Sequence, residues 1–243
     1  MNFVAPKTVL FDLDGTLADT VPLIVATFQR TVSQALGWEP TLAQCKEWIG
    51  RSLTETFTTL APEVADELTA RYLEWNLANH QAYVRPFDGV GALIGGLRAS
   101  GRPFGVVTSK RHASALVSLE CVGLTGQIPL LVTEEDTATH KPSPEPLLHA
   151  LNQMGADAAD AVYVGDAIVD MQAARAAGVR GIGVTWGAAS AEELRAAEPT
   201  AVVHSVGELQ TLLGPDAAAA VWMGRLGYGP APTARSTRLG VGA

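Results

Sequence analysis

Two carboxylates two residues apart, Asp12 and Asp14, stand in the run Phe11-Asp12-Leu13-Asp14-Gly15-Thr16-Leu17, directly after the apolar stretch Thr8-Val9-Leu10. A short apolar run bounded by turn residues reads as a buried strand, with Asp12 as its last residue and Asp14 on the turn that leaves it. Like charges held this close raise one another's pKa unless a cation or hydrogen bonds compensate. A hard divalent ion answers that need, because magnesium takes oxygen ligands from one or two carboxylates and fills its shell with waters and phosphate oxygens. Gly15 lets the chain turn sharply, and Thr16 offers a hydroxyl where the carboxylates converge. Taken alone, the pentapeptide is also compatible with a surface turn in which Asp and Gly merely suit the backbone.

Three further polar clusters occur: Thr108 with Ser109 and Gly165-Asp166 with Asp170, each after an apolar run, and Lys141 in His140-Lys141-Pro142. Lys141 supplies a point charge for a phosphoryl oxygen and for a nucleophilic carboxylate, while Thr108 donates a hydroxyl beside backbone amides. Asp166 completes the protein ligands of a metal. Together the four clusters make a site for phosphate plus metal, provided that the fold brings them to one rim.

The elements that must do so are legible from periodicity. After the first strand, Asp19 and Thr20 read as a helix start, and Val21, Ile24, Val25, Phe28, Val32 and Leu36 recur at helical spacing until Gly37. Thr41 and Ser52 each cap a further short helix, and Pro62 opens a longer one through Leu68, Tyr72, Trp75 and Leu77. The segment 19–85 is thus expected to be an all-helical inserted domain, with linkers near Ala18 and Pro86 as a hinge. A helix over 90–97 follows, ending at Ser100-Gly101; then strands at 104–107, 130–132, 161–164, 181–185 and 201–203 alternate with helices at 113–122, 145–154 and 171–177. Alternation of this kind predicts an α/β fold, a doubly wound, Rossmann-like parallel sheet with helices on both faces, made of residues 1–18 and 86–213. Such sheets place ligands beyond the carboxyl ends of their strands, where Asp12, Thr108 and Asp166 all fall.

Composition narrows the function classes. The 243 residues are 47% apolar, enough for a sizeable core, and a formal net charge of -8 argues against non-specific nucleic-acid binding and against a polybasic membrane surface. No apolar run is long enough to span a bilayer or to serve as a signal peptide, and the two cysteines, Cys45 and Cys121, lie in no metal or redox spacing and read as small buried apolar residues. A cytoplasmic protein, monomer or small homo-oligomer, is expected. The Ala, Gly and Pro-rich stretch 214–243 reads as a flexible tail, with Arg225, Arg235 and Arg238 as solvated charges and Val221-Trp222-Met223 as a local docking point.

The order Asp-x-Asp-Gly-Thr, then Thr-Ser at a strand end, then Lys, then Gly-Asp-x-x-x-Asp resembles the haloacid dehalogenase superfamily over residues 7–213, including a helical cap inserted after the first motif. The resemblance implies that Asp12 is a nucleophile forming an aspartyl-phosphate and that Asp14 is general acid and then base. It implies magnesium held by the Asp12 carboxylate, the Asp14 backbone carbonyl and Asp166, with Asp170 as an orienter acting through metal-bound water. Dehalogenases of the superfamily lack an acid at the Asp14 position, since a halide leaves without a proton, so phosphoryl transfer is expected here. The segment Trp48-Ile49-Gly50-Arg51-Ser52-Leu53 resembles the phosphoglycolate phosphatases and their inorganic pyrophosphatase relatives, which would set Arg51 to read a substrate carboxylate or second phosphate; the other reading leaves Arg51 facing solvent at a helix start. The expected partner is a small phosphorylated substrate bound by Arg51, Thr108, Ser109 and Lys141. The rivals are a phosphosugar mutase similar to beta-phosphoglucomutase and a non-enzymatic binding module. Lys46 as a Schiff-base lysine, and His112 and His140 as ligands, carry little, since Lys46 reads as a solvated helical charge and neither histidine has a partner at useful spacing.

Overall fold

The computed structural model describes residues 4–214. Six strands form one fully parallel sheet: β1 (Thr8–Phe11), β4 (Phe104–Val107), β5 (Leu130–Val132), β6 (Ala161–Gly165), β7 (Arg180–Val184) and β8 (Ala201–Val203), in the order β5-β4-β1-β6-β7-β8. Alternate residues of each strand enter different cores, as the pleat requires. Val9, Phe11, Val106, Val162 and Val164 pack on one face with Leu93, Ile94 and Leu97 of α5 (Val90–Ser100) and Leu209 and Leu213 of α10 (Val206–Leu213). Leu10, Val107 and Tyr163 pack on the other face with Leu147 and Leu151 of α7 (Glu145–Met154) and Ala173 and Ala174 of α8 (Ile168–Ala176). Of the remaining helices, α6 (His112–Cys121) adds Ala115 and Leu119 to the first of these cores, and α9 (Ala191–Ala196) packs Leu194 against Met171 of α8. This is the doubly wound architecture expected, and the switch point lies between β1 and β6, since the chain leaves β1 toward β4 on one side and β6 toward β7 on the other.

Between β1 and α5 the chain forms four helices, α1 (Val21–Leu36), α2 (Leu42–Trp48), α3 (Leu53–Leu60) and α4 (Ala65–Tyr83). Their ends obey capping chemistry. Gly37 closes α1 in the left-handed conformation, Thr41 and Gln44 cap α2 reciprocally, and the Ser52 hydroxyl accepts from the Glu55 amide at α3. An aromatic cluster joins them, with Phe28 ring centroids 4.8 Å from Tyr72 and 5.0 Å from Trp48. The two ends of the helical segment are tied together by a two-residue antiparallel ribbon, β2 (Ala18–Asp19) with β3 (Arg85–Pro86).

Several expectations change in detail. β1 ends at Phe11, so Asp12 is the first residue beyond it, still held by its amide to the Val164 carbonyl at 2.8 Å. Asp19 lies in β2 and does not cap α1; Thr20 occupies that position without a side-chain cap bond. Pro62 opens a single 3-10 turn, Pro62–Val64, and α4 begins after it. α8 starts at Ile168 rather than 171, which places Asp170 in its first turn. Cys45 is buried as expected, whereas Cys121 is only half-buried. α9, α10 and the β2–β3 ribbon lie where no element was read, and the tail expected over 214–243 lies, past Gly214, outside the described residues.

Candidate active site

The carboxyl ends of β1, β4 and β6 meet at one rim, and each delivers its polar residue there. Asp12 is 2% exposed and Asp166 fully buried. Between them the turn after β1 is closed by Leu13 and Ala18 backbone bonds, with Gly15 at φ 74. A side chain at Gly15 is excluded twice over: the positive φ is strained for any other residue, and a Cβ would sit 2.1 Å from Asp166 Oδ2. The turn is thus shaped around Asp166. Thr16 Oγ1 donates to Asp166 Oδ1 at 3.0 Å, and the Ala188 amide donates to Oδ2 at 2.6 Å.

Lys141 reaches this rim from the loop between β5 and α7. It is 1% exposed, and its Nζ donates to Asp12 Oδ1 at 2.9 Å, Asp170 Oδ1 at 2.6 Å and Tyr163 Oη at 3.0 Å. All three ammonium donors are used, which fixes its position. Tyr163 in turn donates to the Val107 carbonyl at 2.8 Å, so a residue that looks like plain strand core carries a polar tip into the network. Asp170 also accepts from the Ala167 amide at 2.9 Å and is thereby held on the first turn of α8.

Burial sets the charge states. Burial pushes the Asp12 carboxyl up to about 7, with Lys141 opposing and Asp170 and Asp14 adding to the rise. Asp166 is also held well above the usual carboxylate range, by burial first and then by Asp170 and Asp12. For Lys141, burial favours the neutral form, but the charges of Asp12 and Asp170 outweigh it and raise its pKa. One ammonium, bonded to Asp12 and Asp170, stands against a cluster of three carboxylates, since ligand oxygens of Asp12, Asp166 and Asp170 all lie within 4.8 Å of one another. Such a buried oxygen-rich cluster with a charge deficit fits a hard divalent cation.

Asp14 stands outside this cluster, at the floor of a cleft between the sheet rim and the helical segment. The cleft is lined by Asp12, Asp14, Thr108, Ser109 and Lys110 from the rim and by Trp48, Gly50, Arg51 and Tyr72 from the helices. Its volume of about 60 Å³ is far below the roughly 300–1,000 Å³ of sites that take drug-sized ligands, so it suits a small substrate. The Lys110 amide donates to Thr108 Oγ1 at 3.2 Å, and the buried Ser109 Oγ finds no hydrogen-bond partner among the described residues. Arg51 is exposed at the mouth, its Nε on the Glu47 carbonyl at 3.2 Å, without an ion pair among the described residues.

Sequence reading missed three residues here. Lys110 Nζ lies 2.9 Å and 3.1 Å from the two Asp14 oxygens; its place directly after Thr108-Ser109 was the available signal. Tyr163 was hidden in an apolar strand, although a buried tyrosine hydroxyl usually finds a partner. Glu134, in the turn after β5, accepts from Ser52 Oγ at 2.8 Å and the Thr54 amide at 3.3 Å on the helical segment, and from Arg111 Nε at 3.2 Å on the rim. No local pattern announces that contact. Lys46, His112 and His140 make no contact with the carboxylate cluster; the His112 amide is taken by Glu135 at 2.9 Å.

Comparison with known proteins agrees with this geometry. A family model described as haloacid dehalogenase-like hydrolase matches residues 9–184. The chain is 33% identical over 216 residues to a pyrophosphatase PpaX of Bacillus pumilus, covering 89% of this chain and 100% of that one. It is 38% identical over 193 residues to a phosphoglycolate phosphatase of Xylella fastidiosa, covering 77% and 84% respectively. The crystal structure of a hydrolase from Pseudomonas syringae superposes with a TM-score of 0.79 at 26% identity, over 86% of this chain and 97% of that one.

Proposed function

This chain belongs to the haloacid dehalogenase-like hydrolase family, and we propose that within it the protein is a magnesium-dependent phosphatase of small phosphorylated metabolites. The observation that carries the reading is the pairing of two differently placed aspartates in one cleft. Asp12 is buried and held by Lys141, as a nucleophile requires; Asp14 lines the cleft, where a leaving-group oxygen would lie.

In the first step an Asp12 oxygen attacks phosphorus, the bond from phosphorus to the leaving oxygen breaks, and Asp14 gives that oxygen a proton. In the second, Asp14 takes a proton from water as the water oxygen attacks the same phosphorus, and the acyl-phosphate bond to Asp12 breaks to release inorganic phosphate. Thr108, Ser109 and Lys141 bind the phosphoryl oxygens, and Lys141 holds the Asp12 carboxylate in line. Asp12, the Asp14 carbonyl and Asp166 would hold magnesium, which supplies neutralisation of phosphate charge. Asp170 positions Lys141 and the loop at Ala167. The helical segment 19–85 acts as a cap hinged on the β2–β3 ribbon, closing over the reaction and opening for release.

Phosphoglycolate is the preferred substrate, with Arg51 of the cap reading its carboxylate, and pyrophosphate comes close behind; relatives bearing both names support the pair. The test is phosphate release by the purified protein with magnesium, with and without chelator, from phosphoglycolate, pyrophosphate, a sugar monophosphate and an aryl phosphate. Chelator-sensitive release, highest from phosphoglycolate, is expected. A need for a sugar bisphosphate, without net phosphate release, would turn the reading into a mutase. Silence on all four would sink it.

A further inference from the structure

Lys110 directly follows Thr108-Ser109 in the rim segment after β4, and it is nearly buried, with 8% of its side chain exposed. Its ammonium straddles the Asp14 carboxylate, 2.9 Å from one oxygen and 3.1 Å from the other. In this resting arrangement both Asp14 oxygens accept from Lys110, and Lys110 has no second acid in contact among the described residues. For Asp14 to give a proton to a leaving-group oxygen, one of its oxygens must carry that proton, and the neutral carboxyl loses most of its hold on the ammonium. An ammonium that loses its partner in a closed cleft is costly, because water is not there to replace it. The cost vanishes if the leaving group brings an anion of its own.

The surroundings offer no other relief. Glu134, the next carboxylate of the cleft, is already engaged by Arg111, Ser52 and the Thr54 amide. Asp12 is taken by Lys141. Across the cleft stands Arg51, a second cation without an ion pair among the described residues. In a chain of net charge -8, the outer cleft therefore presents two cations, one of them loosened when Asp14 is protonated, to whatever part of the substrate lies beyond the phosphoryl group.

We propose that Lys110 is a specificity-determining residue that selects phosphate esters or anhydrides whose leaving portion carries a second anionic group, a carboxylate or phosphate, by exchanging its bond to Asp14 for one to that group. The proposal rests on the phosphatase reading for its substrate but not for its test. Neutral leaving groups fit the same cleft but leave Lys110 on Asp14. Lys110→Met keeps the stem and removes the charge; Lys110→Arg keeps the charge.

Two probes of equal size separate the cases: phosphoglycolate, with its carboxylate, and 2-hydroxyethyl phosphate, without one. Their dissociation constants are to be measured calorimetrically on Asp12→Asn protein, which holds ligand without turnover, with and without Lys110→Met. The preference for phosphoglycolate is expected to fall by about 10- to 100-fold with Lys110→Met, the worth of one charge-assisted hydrogen bond, and to survive largely in Lys110→Arg. In the turnover assay the same loss is expected in KM more than in kcat. A preference ratio that stays the same in Lys110→Met, or no preference to begin with, would overturn the proposal and leave Lys110 as a mere support of Asp14. A preference that collapses in binding while the parent protein releases no phosphate would uphold Lys110 and sink the phosphatase reading instead.

Discussion

Asp12 carries its charge against its environment: burial pushes its carboxyl up to about 7, and only Lys141 offsets this directly. Replacing it with Asn removes the charge while keeping the shape and one acceptor. Asp12→Asn is expected to lower turnover by about six orders of magnitude, in line with losses of catalytic nucleophiles that act as part of a unit. Its melting temperature at pH 8 without metal should be no lower than that of the parent, because Lys141 keeps Asp170 at 2.6 Å. A large drop would mean that the residue is structural. Lys141 predicts the opposite pattern. Lys141→Met leaves Asp12, Asp166 and Asp170 buried together without their cation, and breaking a buried pair from one side costs about 3–5 kcal/mol. Urea denaturation should show that loss in a shifted midpoint, and Asp12→Asn in the same background should restore part of it by removing one of the stranded charges.

At the scale of elements, the helical segment touches the sheet layer at two polar points among the described residues. Glu134 ties Ser52 and Thr54 of α3 to Arg111, and His80 of α4 ties to Ser118 of α6 at 3.1 Å; with Nδ1 donating to the Asn76 carbonyl at 2.7 Å, Nε2 accepts from the serine. Glu134→Ala strips the α3 terminus of an acceptor and Arg111 of its partner, which should cost about 1–3 kcal/mol. Hydrogen exchange should then quicken in α3 more than in α7, and KM should rise more than kcat falls; uniform exchange across both helices would show that Glu134 does not hold the segment down. Much of this scaffold could be read in advance. Apolar runs announced each parallel strand, and Gly37, Thr41 and Ser52 announced helix ends, because those signals are local. The ribbon of Ala18–Asp19 with Arg85–Pro86 could not be read, since two residues hold no period. α9 and α10 had signals that were passed over, the Ser190–Glu193 and Ser205–Glu208 caps. Among site residues, those with a chemical motif were found; no motif marks Glu134 or Tyr163, whose partners Ser52 and Lys141 lie 82 and 22 residues away, and Lys110 had only its place after Thr108-Ser109, 96 residues from Asp14.

For the whole molecule, the buried carboxylate cluster couples stability to pH and to metal. Asp12 and Asp166 have folded pKa values above their unfolded ones, so between the unfolded value near 4 and about 7 the native state binds more protons than the unfolded chain does. Stability contributed by these groups therefore falls as pH rises through that window. His80 works the other way: burial lowers its pKa, so its contribution is present above the unfolded value and is lost as pH falls below it. Thermal melts of metal-free protein combine both trends and do not separate them. The increment on adding magnesium does, because His80 is common to both samples while the carboxylates bind the cation only when ionised. Magnesium at a fixed millimolar concentration should raise the melting temperature by several degrees at pH 8 and by much less at pH 5, and chelator should abolish both increments. Asp166→Asn should flatten the difference, whereas Glu193→Gln, an exposed change whose carboxyl is held low by Ser190 and not by the cluster, should leave it in place. Equal increments at both pH values would place the cation elsewhere than at Asp12 and Asp166.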